Sequence, residues 1–193
     1  MWSNKEILQY LRENLKESRY EHTLGVVKTA KALAKINGVE EEKAELAALI
    51  HDSAKNMHIN SMKKMLEENF EQIDDIEEKT PQLLHGKVAA IIGKNIMGIE
   101  DEEVLSAAAY HTTGKRNMTL LEKIIYIADY IEPNRVYPGV EELRKLTFED
   151  LDKGVIVGLN NTINYILKQG GLIHPNTIEA RNYLIINGKG GLE

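Results

Sequence analysis

Apolar residues in this chain recur at helical spacing almost from end to end, and the apolar–polar alternation of a half-buried strand is nearly absent. That period restricts the fold to packed helices. Ile7, Leu8, Leu11 and Leu15 share one face behind a Ser3–Glu6 capping box, giving a first helix to about residue 17. Leu24, Val27, Ala30 and Ala34 carry a second helix from Tyr20 to Ile36, which Asn37-Gly38 stops. A third helix is expected over Glu41 to Lys55, where Ala44, Leu46, Ala47, Leu49 and Ile50 form a broad apolar surface suited to a central position. Further helices are expected over 60–70, 84–96, 101–111, 119–132, 148–169 and 175–186, with Thr119/Glu122 and Thr147/Asp150 as N-terminal capping signals. The expectation is an all-α helical bundle, one domain over 1–193, closed by C-terminal helices within 148–186 and ending in a loose tail, 187–193.

Composition narrows the chemistry. The chain has 193 residues, enough for one sizeable core. It has no cysteine, so a metal site must use nitrogen and oxygen ligands. The net charge of -6, with both signs interspersed, argues against a nucleic-acid footprint. No apolar run approaches the roughly 20 residues of a membrane span, and MWSNKEILQY is no signal peptide. A cytoplasmic protein that binds neither nucleic acid nor membrane is expected.

The chemistry-bearing residues are six histidines and a few aspartates. A single helical histidine is more often a surface or satisfied core residue than a ligand, but His51 follows the apolar run LAALI and precedes Asp52. Burying that pair is costly unless a metal or another partner compensates. A local His51–Asp52 pairing at the helix end needs no metal. Successive helical residues point about 100° apart, so these two side chains diverge and a metal must lie in the wedge between them. Two side chains leave a divalent ion mostly hydrated, so completion must come from other helices. His22, His85, His111 and Asp129, in the stretch IIYIADYIEP, are the candidates.

This order resembles the HD-domain metal phosphohydrolases, an all-helical superfamily named for the adjacent pair. More closely, YEHTLGVVKTAKALA, AALIHDSAKN, the HG at 85–86, YHTTG and IIYIADYIEPNR resemble the bacterial YqeK group, symmetrical diadenosine tetraphosphate hydrolases. The motifs cover residues 19–135. The resemblance implies metal binding by His22, His51, Asp52 and Asp129, with His85 and His111 completing a two-metal site bridged by Asp52. Two divalent ions are implied, iron favoured over manganese or zinc. A carboxylate suits the bridging role because its two oxygens can serve two cations.

The implied reaction is symmetrical cleavage of diadenosine tetraphosphate to two ADP, with hydroxide held between the ions attacking beside the central bridging oxygen. Asp52 and Lys55 are then the catalytic residues. Lys55, Thr113 and Arg135 are candidate substrate contacts: Lys55 lies one turn beyond His51, and Arg135 offers a forked guanidinium to phosphate. A solvated cation explains Lys55 or Arg135 equally well, and a helix stop explains Thr112, Thr113 and Gly114. Glu132, one turn from Asp129, either orients a ligand or is a solvated carboxylate. Tyr110, Tyr126 and Tyr130 are expected at helix interfaces, with one of them able to flank a nucleobase. His58 and His174 fall outside the motif order, and His174 reads as loop. The resemblance also implies a homodimer.

Two neighbouring groups fit less well. Guanosine alarmone hydrolases resemble HD-x-x-ED where this chain has HDSAKN, and YHTTGKRN lacks the Gly-Tyr-Pro of cyclic-dinucleotide phosphodiesterases. A mononucleotide or deoxynucleotide phosphohydrolase, and a non-catalytic nucleotide-binding HD protein, remain the alternatives that the ligand set permits.

Overall fold

The computed structural model describes residues 1–188, and the expected loose tail lies, beyond Gly188, outside the described residues. Within them the chain forms eleven α-helices and no strand: α1 Asn4–Asn14, α2 Glu17–Asn37, α3 Glu41–Ile50, α4 Ile59–Glu68, α5 Asp75–Lys79, α6 Leu84–Asn95, α7 Glu102–Ala109, α8 Leu120–Ile131, α9 Val140–Glu149, α10 Leu151–Lys168 and α11 Pro175–Asn187. A single 3-10 turn, Pro81–Leu83, leads into α6. None of the described helices is long and apolar enough to cross a membrane.

Two helices form the hub. α8 presents Leu121, Ile124, Ile125, Ile127 and Ile131 to the interior, each essentially fully buried and each stabilising by about 1.5–3 kcal/mol. It packs against α2, α3, α7, α9 and α10. α3, whose Ala44, Ala47 and Ala48 permit close approach, packs against α1, α2, α6, α7 and α8. Polar side chains at the ends of these helices are therefore delivered into the middle of the molecule.

The expected caps form at Ser3–Glu6 and Thr119–Glu122, where side chain and backbone exchange bonds reciprocally. Gly38 ends α2 in the left-handed conformation, φ 71°. Several boundaries differ from the expectation. α2 begins at Glu17, three residues earlier than expected. α3 stops at Ile50 instead of reaching Lys55, because the Ala48 carbonyl, due to accept the Asp52 N–H in a continuing α-helix, accepts from the His51 ring nitrogen Nδ1 at 2.6 Å. The backbone then tightens into i→i−3 turns, Ser53 to Ile50 and Lys55 to Asp52. α7 stops at Ala109 for the same reason: His111 Nδ1 donates to the Ala108 carbonyl at 2.7 Å.

The expected helix over 148–169 is α10, which starts at Leu151, while residues 148 and 149 end a separate helix, α9. Asp150 caps α10 by accepting from the Lys153 N–H, whereas Thr147 lies inside α9 and bonds back to the Leu143 carbonyl. α9 went unread because only Val140, Leu143 and Thr147 of its ten residues are buried, too sparse a stripe to register against its charged face.

Candidate metal centre

Five segments converge on one buried point. His22 comes from α2, His51 caps the end of α3 with Asp52 in the turn beyond it, His85 is the second residue of α6, His111 lies in the turn after α7, and Asp129 comes from α8. All six residues named from the sequence are brought together. The four histidines and Asp52 are each at most 6% exposed.

Asp52 divides the group into two lobes. Its Oδ1 lies 3.0 Å from His85 Nε2 and 3.6 Å from His111 Nε2. Its Oδ2 lies 3.4 Å from His51 Nε2 and 3.8 Å from His22 Nε2, which is itself 2.9 Å from Asp129 Oδ1. The carboxylate thus stands between two pairs of imidazoles with one oxygen toward each.

Hydrogen bonding fixes which ring nitrogens face inward. His51 and His111 give Nδ1–H to the carbonyls of Ala48 and Ala108, His85 gives its own to Gln82, and His22 gives its own to Glu132 Oε1 at 3.1 Å. Every one of these partners only accepts, so each Nδ1 carries the hydrogen and each neutral ring turns an Nε2 lone pair toward the shared space. His22 Nε2, His51 Nε2 and Asp52 Oδ1 are buried with no hydrogen-bond partner. Asp129 Oδ1 is close to His22 Nε2 but not in hydrogen-bonding geometry. Buried polar atoms left unpaired cost about 1–3 kcal/mol each, and a divalent cation is the ligand that satisfies several converging lone pairs at once. Divalent metal therefore fits this donor set on geometry and on chemistry.

Electrostatics agree with that reading. Burial alone would raise Asp52, but His51 together with His111 and His85 holds its carboxyl well below the usual carboxylate range. Asp129 is likewise held down against burial, chiefly by His22 and His51. Burial pushes His111 down to about 4, which keeps it a neutral donor. Burial would also lower His51, yet Asp52 outweighs it and the net shift is upward. A proton and a cation thus compete for this imidazole, so metal uptake releases protons.

Three cations border the cluster. Arg19 Nη1 lies 2.9 Å from Asp52 Oδ2, Lys55 Nζ lies 3.0 Å from His85 Nε2, and Arg135 Nη2 lies 2.8 Å from Asp129 Oδ1. Their side chains are about one quarter to one third exposed, so they form the solvent-facing rim of the site. Lys55 and Arg135 were named from the sequence. Arg19 was missed, although it sits three residues before His22 and hence on the same face of α2. Thr113 follows His111 by two residues, but its hydroxyl donates to the Gly114 carbonyl at 2.9 Å and makes no hydrogen bond to any of the six.

Glu132 is not a solvated carboxylate. It is 2% exposed, holds His22 through Oε1 and accepts from the Asn134 N–H through Oε2 at 2.7 Å. Gly25 makes room for it, since a Cβ there would lie 2.3 Å from Glu132 Oε2. The turn carrying Glu132 and Arg135 is clamped by Arg144 of α9, which donates to the carbonyls of Ile131, Glu132 and Arg135 at 2.8, 2.7 and 2.9 Å. Tyr126 is buried with its hydroxyl 3.3 Å from Thr162, and Tyr130 stacks edge-on with Tyr137.

A helical bundle whose centre is an adjacent His-Asp pair completed by histidines and an aspartate from other helices defines an HD domain, and this chain belongs to the HD domain family, which matches residues 19–134. Among its relatives, the symmetrical bis(5'-nucleosyl)-tetraphosphatase of Halalkalibacterium halodurans is 46% identical, over 94% of this chain and 97% of that protein. The Bacillus subtilis enzyme of the same name is 40% identical over 95% and 98%. A crystal structure from Clostridium acetobutylicum, described as a predicted HD superfamily hydrolase involved in NAD metabolism, superposes with a TM-score of 0.94 at 48% identity, covering 96% of this chain and 98% of that one.

Proposed function

We propose that the protein is a metal-dependent hydrolase that cleaves diadenosine tetraphosphate symmetrically into two ADP. The observation that carries the metal part is the convergence of four Nε2 atoms on the two oxygens of Asp52, with three of the inward-facing atoms unpartnered. The names of the relatives that match nearly the whole chain support the substrate. His22, His51 and Asp129 are assigned to one ion, His85 and His111 to a second, with Asp52 bridging. An all-nitrogen-and-oxygen donor set rich in imidazole suits iron, manganese or zinc, and the family resemblance favours iron among them.

Divalent ions held by these residues would supply Lewis acidity, lowering the pKa of water and drawing charge from the phosphoryl group. The chain's own residues do the rest. Lys55 beside one lobe, and Arg19 and Arg135 beside the other, present cations on the open side where a polyphosphate must enter. Glu132 and the carbonyls of Ala48, Gln82 and Ala108 keep every Nδ1 protonated, so no ring can turn its donor nitrogen inward. The buried floor formed by His51 and His111 keeps bulk water off the reacting centre. The leaving ADP needs no covalent attachment to the chain. Thr113 is assigned to the substrate side of the site, through its backbone or after its hydroxyl releases Gly114. The dimer belongs to the same proposal and is read by mass in solution.

The test is incubation of anaerobically purified, iron-loaded protein with diadenosine tetraphosphate, followed by separation of products. Two ADP per substrate are expected. ATP plus AMP would contradict symmetrical attack, and an intact substrate alongside a hydrolysed mononucleotide would replace it with the mononucleotide reading.

A further inference from the structure

A cavity lies beside the segments that carry His85 and His111, and of the residues given a role in substrate contact above only Thr113 lines it. Its volume is about 420 Å³, within the range of small-molecule sites. Its floor is built from Thr112 and Thr113, the two residues after His111, and one wall from Gln82 and Leu83, just before His85. The Gln82 carbonyl is the one that holds His85 Nδ1, so the cavity wall and the metal centre share a backbone segment. The opposite wall is the C-terminal end of α10 and the loop after it, presenting Tyr165, Ile166 and Leu172.

The chemistry of this lining differs from that of the rim. Arg19, Lys55 and Arg135 are not part of it. Its charged groups are the exposed Lys79 and His174, and His174 is already paired with Asp74 at 2.9 Å. What remains is an apolar slot with an aromatic ring that is 66% exposed and with spare hydrogen-bonding capacity. The Thr112 hydroxyl is buried without a partner, and the exposed Gln82 lines the same cavity. A flat, neutral heteroaromatic group with edge donors and acceptors suits such a slot, because it stacks on the ring while its edge pairs with amide and hydroxyl. A polyphosphate does not.

We propose that this cavity holds the purine base of one half of the dinucleotide, with the phosphate chain running from it past His85 and His111 to the cationic rim. The assignment rests on the hydrolase reading for the identity of the ligand. It makes Tyr165, at the exposed end of α10, a specificity-determining residue for a reaction whose ligands all lie before residue 130. It also gives the C-terminal helices α10 and α11 a part in recognition.

The experiment compares ADP with inorganic pyrophosphate as ligands of the manganese-loaded protein, by calorimetry, in wild type, Tyr165→Ala and Thr112→Val. Tyr165 is exposed, and Thr112→Val keeps shape, so both variants are expected to melt with the wild type. Tyr165→Ala should weaken ADP about tenfold, as loss of one aromatic–base stack does, and Thr112→Val by severalfold. Pyrophosphate binding should change less than about twofold in both, since it lacks a base. Equal losses for both ligands, no loss for ADP, or a wild type that prefers pyrophosphate would each overturn the assignment. Wild type that follows the ADP pattern yet leaves diadenosine tetraphosphate intact would remove the hydrolase reading and keep the base site. Wild type that cleaves it with an unchanged KM in Tyr165→Ala would do the reverse.

Discussion

Among the described residues, two clusters bring histidine and carboxylate within ligand distance of one another, and one of the two has the character of a metal centre. At the centre, His22, His51, His85 and His111 have each committed Nδ1 to an acceptor, and their Nε2 atoms meet Asp52 and Asp129 with donors and acceptors mismatched. Nearer the surface, exposed Asp74 gathers with buried Glu77 and His174, but each is answered. Asp74 Oδ1 caps α5 by accepting from Ile76 and Glu77, and its Oδ2 accepts from His174 Nε2. His174 Nδ1 accepts from the Asn176 N–H, and Glu77 is paired with Lys87. Residue type is the same in both. What separates them is the direction of the lone pairs and whether anything already satisfies them.

The largest effect expected is at Asp52, which alone faces both lobes. Asp52→Ala should lower cleavage of diadenosine tetraphosphate by at least about 10³-fold, roughly 4 kcal/mol of barrier, and should reduce the metal retained after anaerobic purification. A variant with wild-type activity would dissolve the distinction between the two clusters, because the centre would then be only a buried ion-pair network.

Next comes the second layer. Glu132→Gln keeps the shape but lets an N–H₂ group face His22 Nδ1, which frees that ring to turn over. Metal affinity or turnover should fall about 10–100-fold, as for other groups that orient a ligand. Gly25→Ala should act on the same atom from the other side, because its Cβ lands on Glu132 Oε2. The two substitutions together should cost less than the sum of each alone, since both displace one carboxylate.

How far this layering was legible in sequence follows from what each residue depends on. The all-α class and the Ser3 and Thr119 boxes are local, set by period and by a three-residue offset, and these could be read. The six residues that now converge were named in order from their resemblance to a family, whereas periodicity on its own left their convergence open. Glu132 was ambiguous because its burial depends on Gly25, 107 positions away in the chain. The ends of α3 and α7 were misplaced because a ring nitrogen takes the carbonyl that a backbone N–H takes in a regular helix, which no propensity encodes. Arg19 had a usable signal in its i, i+3 relation to His22. Arg144 had none, since α9 itself was unread.

Arg144 therefore tests whether the centre is held from outside its own motifs. It makes no hydrogen bond or ion pair with the six convergent residues, and it fixes the carbonyls of Ile131, Glu132 and Arg135. Arg144→Leu should lower kcat/KM about five- to tenfold, near 1 kcal/mol, while metal content stays near that of wild type. A loss confined to thermal stability, with kcat/KM unchanged, would reduce Arg144 to a structural clamp.

The smallest effect belongs to the satisfied cluster, and its sign with pH is fixed by its carboxylate. Burial would raise Asp74, but the Glu77 N–H, His174 and the Ile76 N–H together hold its pKa below the usual value. A carboxyl depressed in the folded state stabilises above the unfolded pKa, near 4, and loses that contribution as pH falls through the folded value. Asp74→Ala removes an N-cap and should cost about 1 kcal/mol at pH 7, a drop in Tm of roughly 2–4 °C for a chain of this length. Asp74→Asn keeps a cap oxygen but gives up the charge facing His174, so it should lose less than Asp74→Ala at pH 7, and its deficit against wild type should shrink as pH falls from 5 to 3. Both variants should retain wild-type metal content and cleavage within about twofold, an effect of at most 0.4 kcal/mol. Metal lost from either variant would show that the outer cluster is a second cation site, and the contrast drawn from its satisfied atoms would fail.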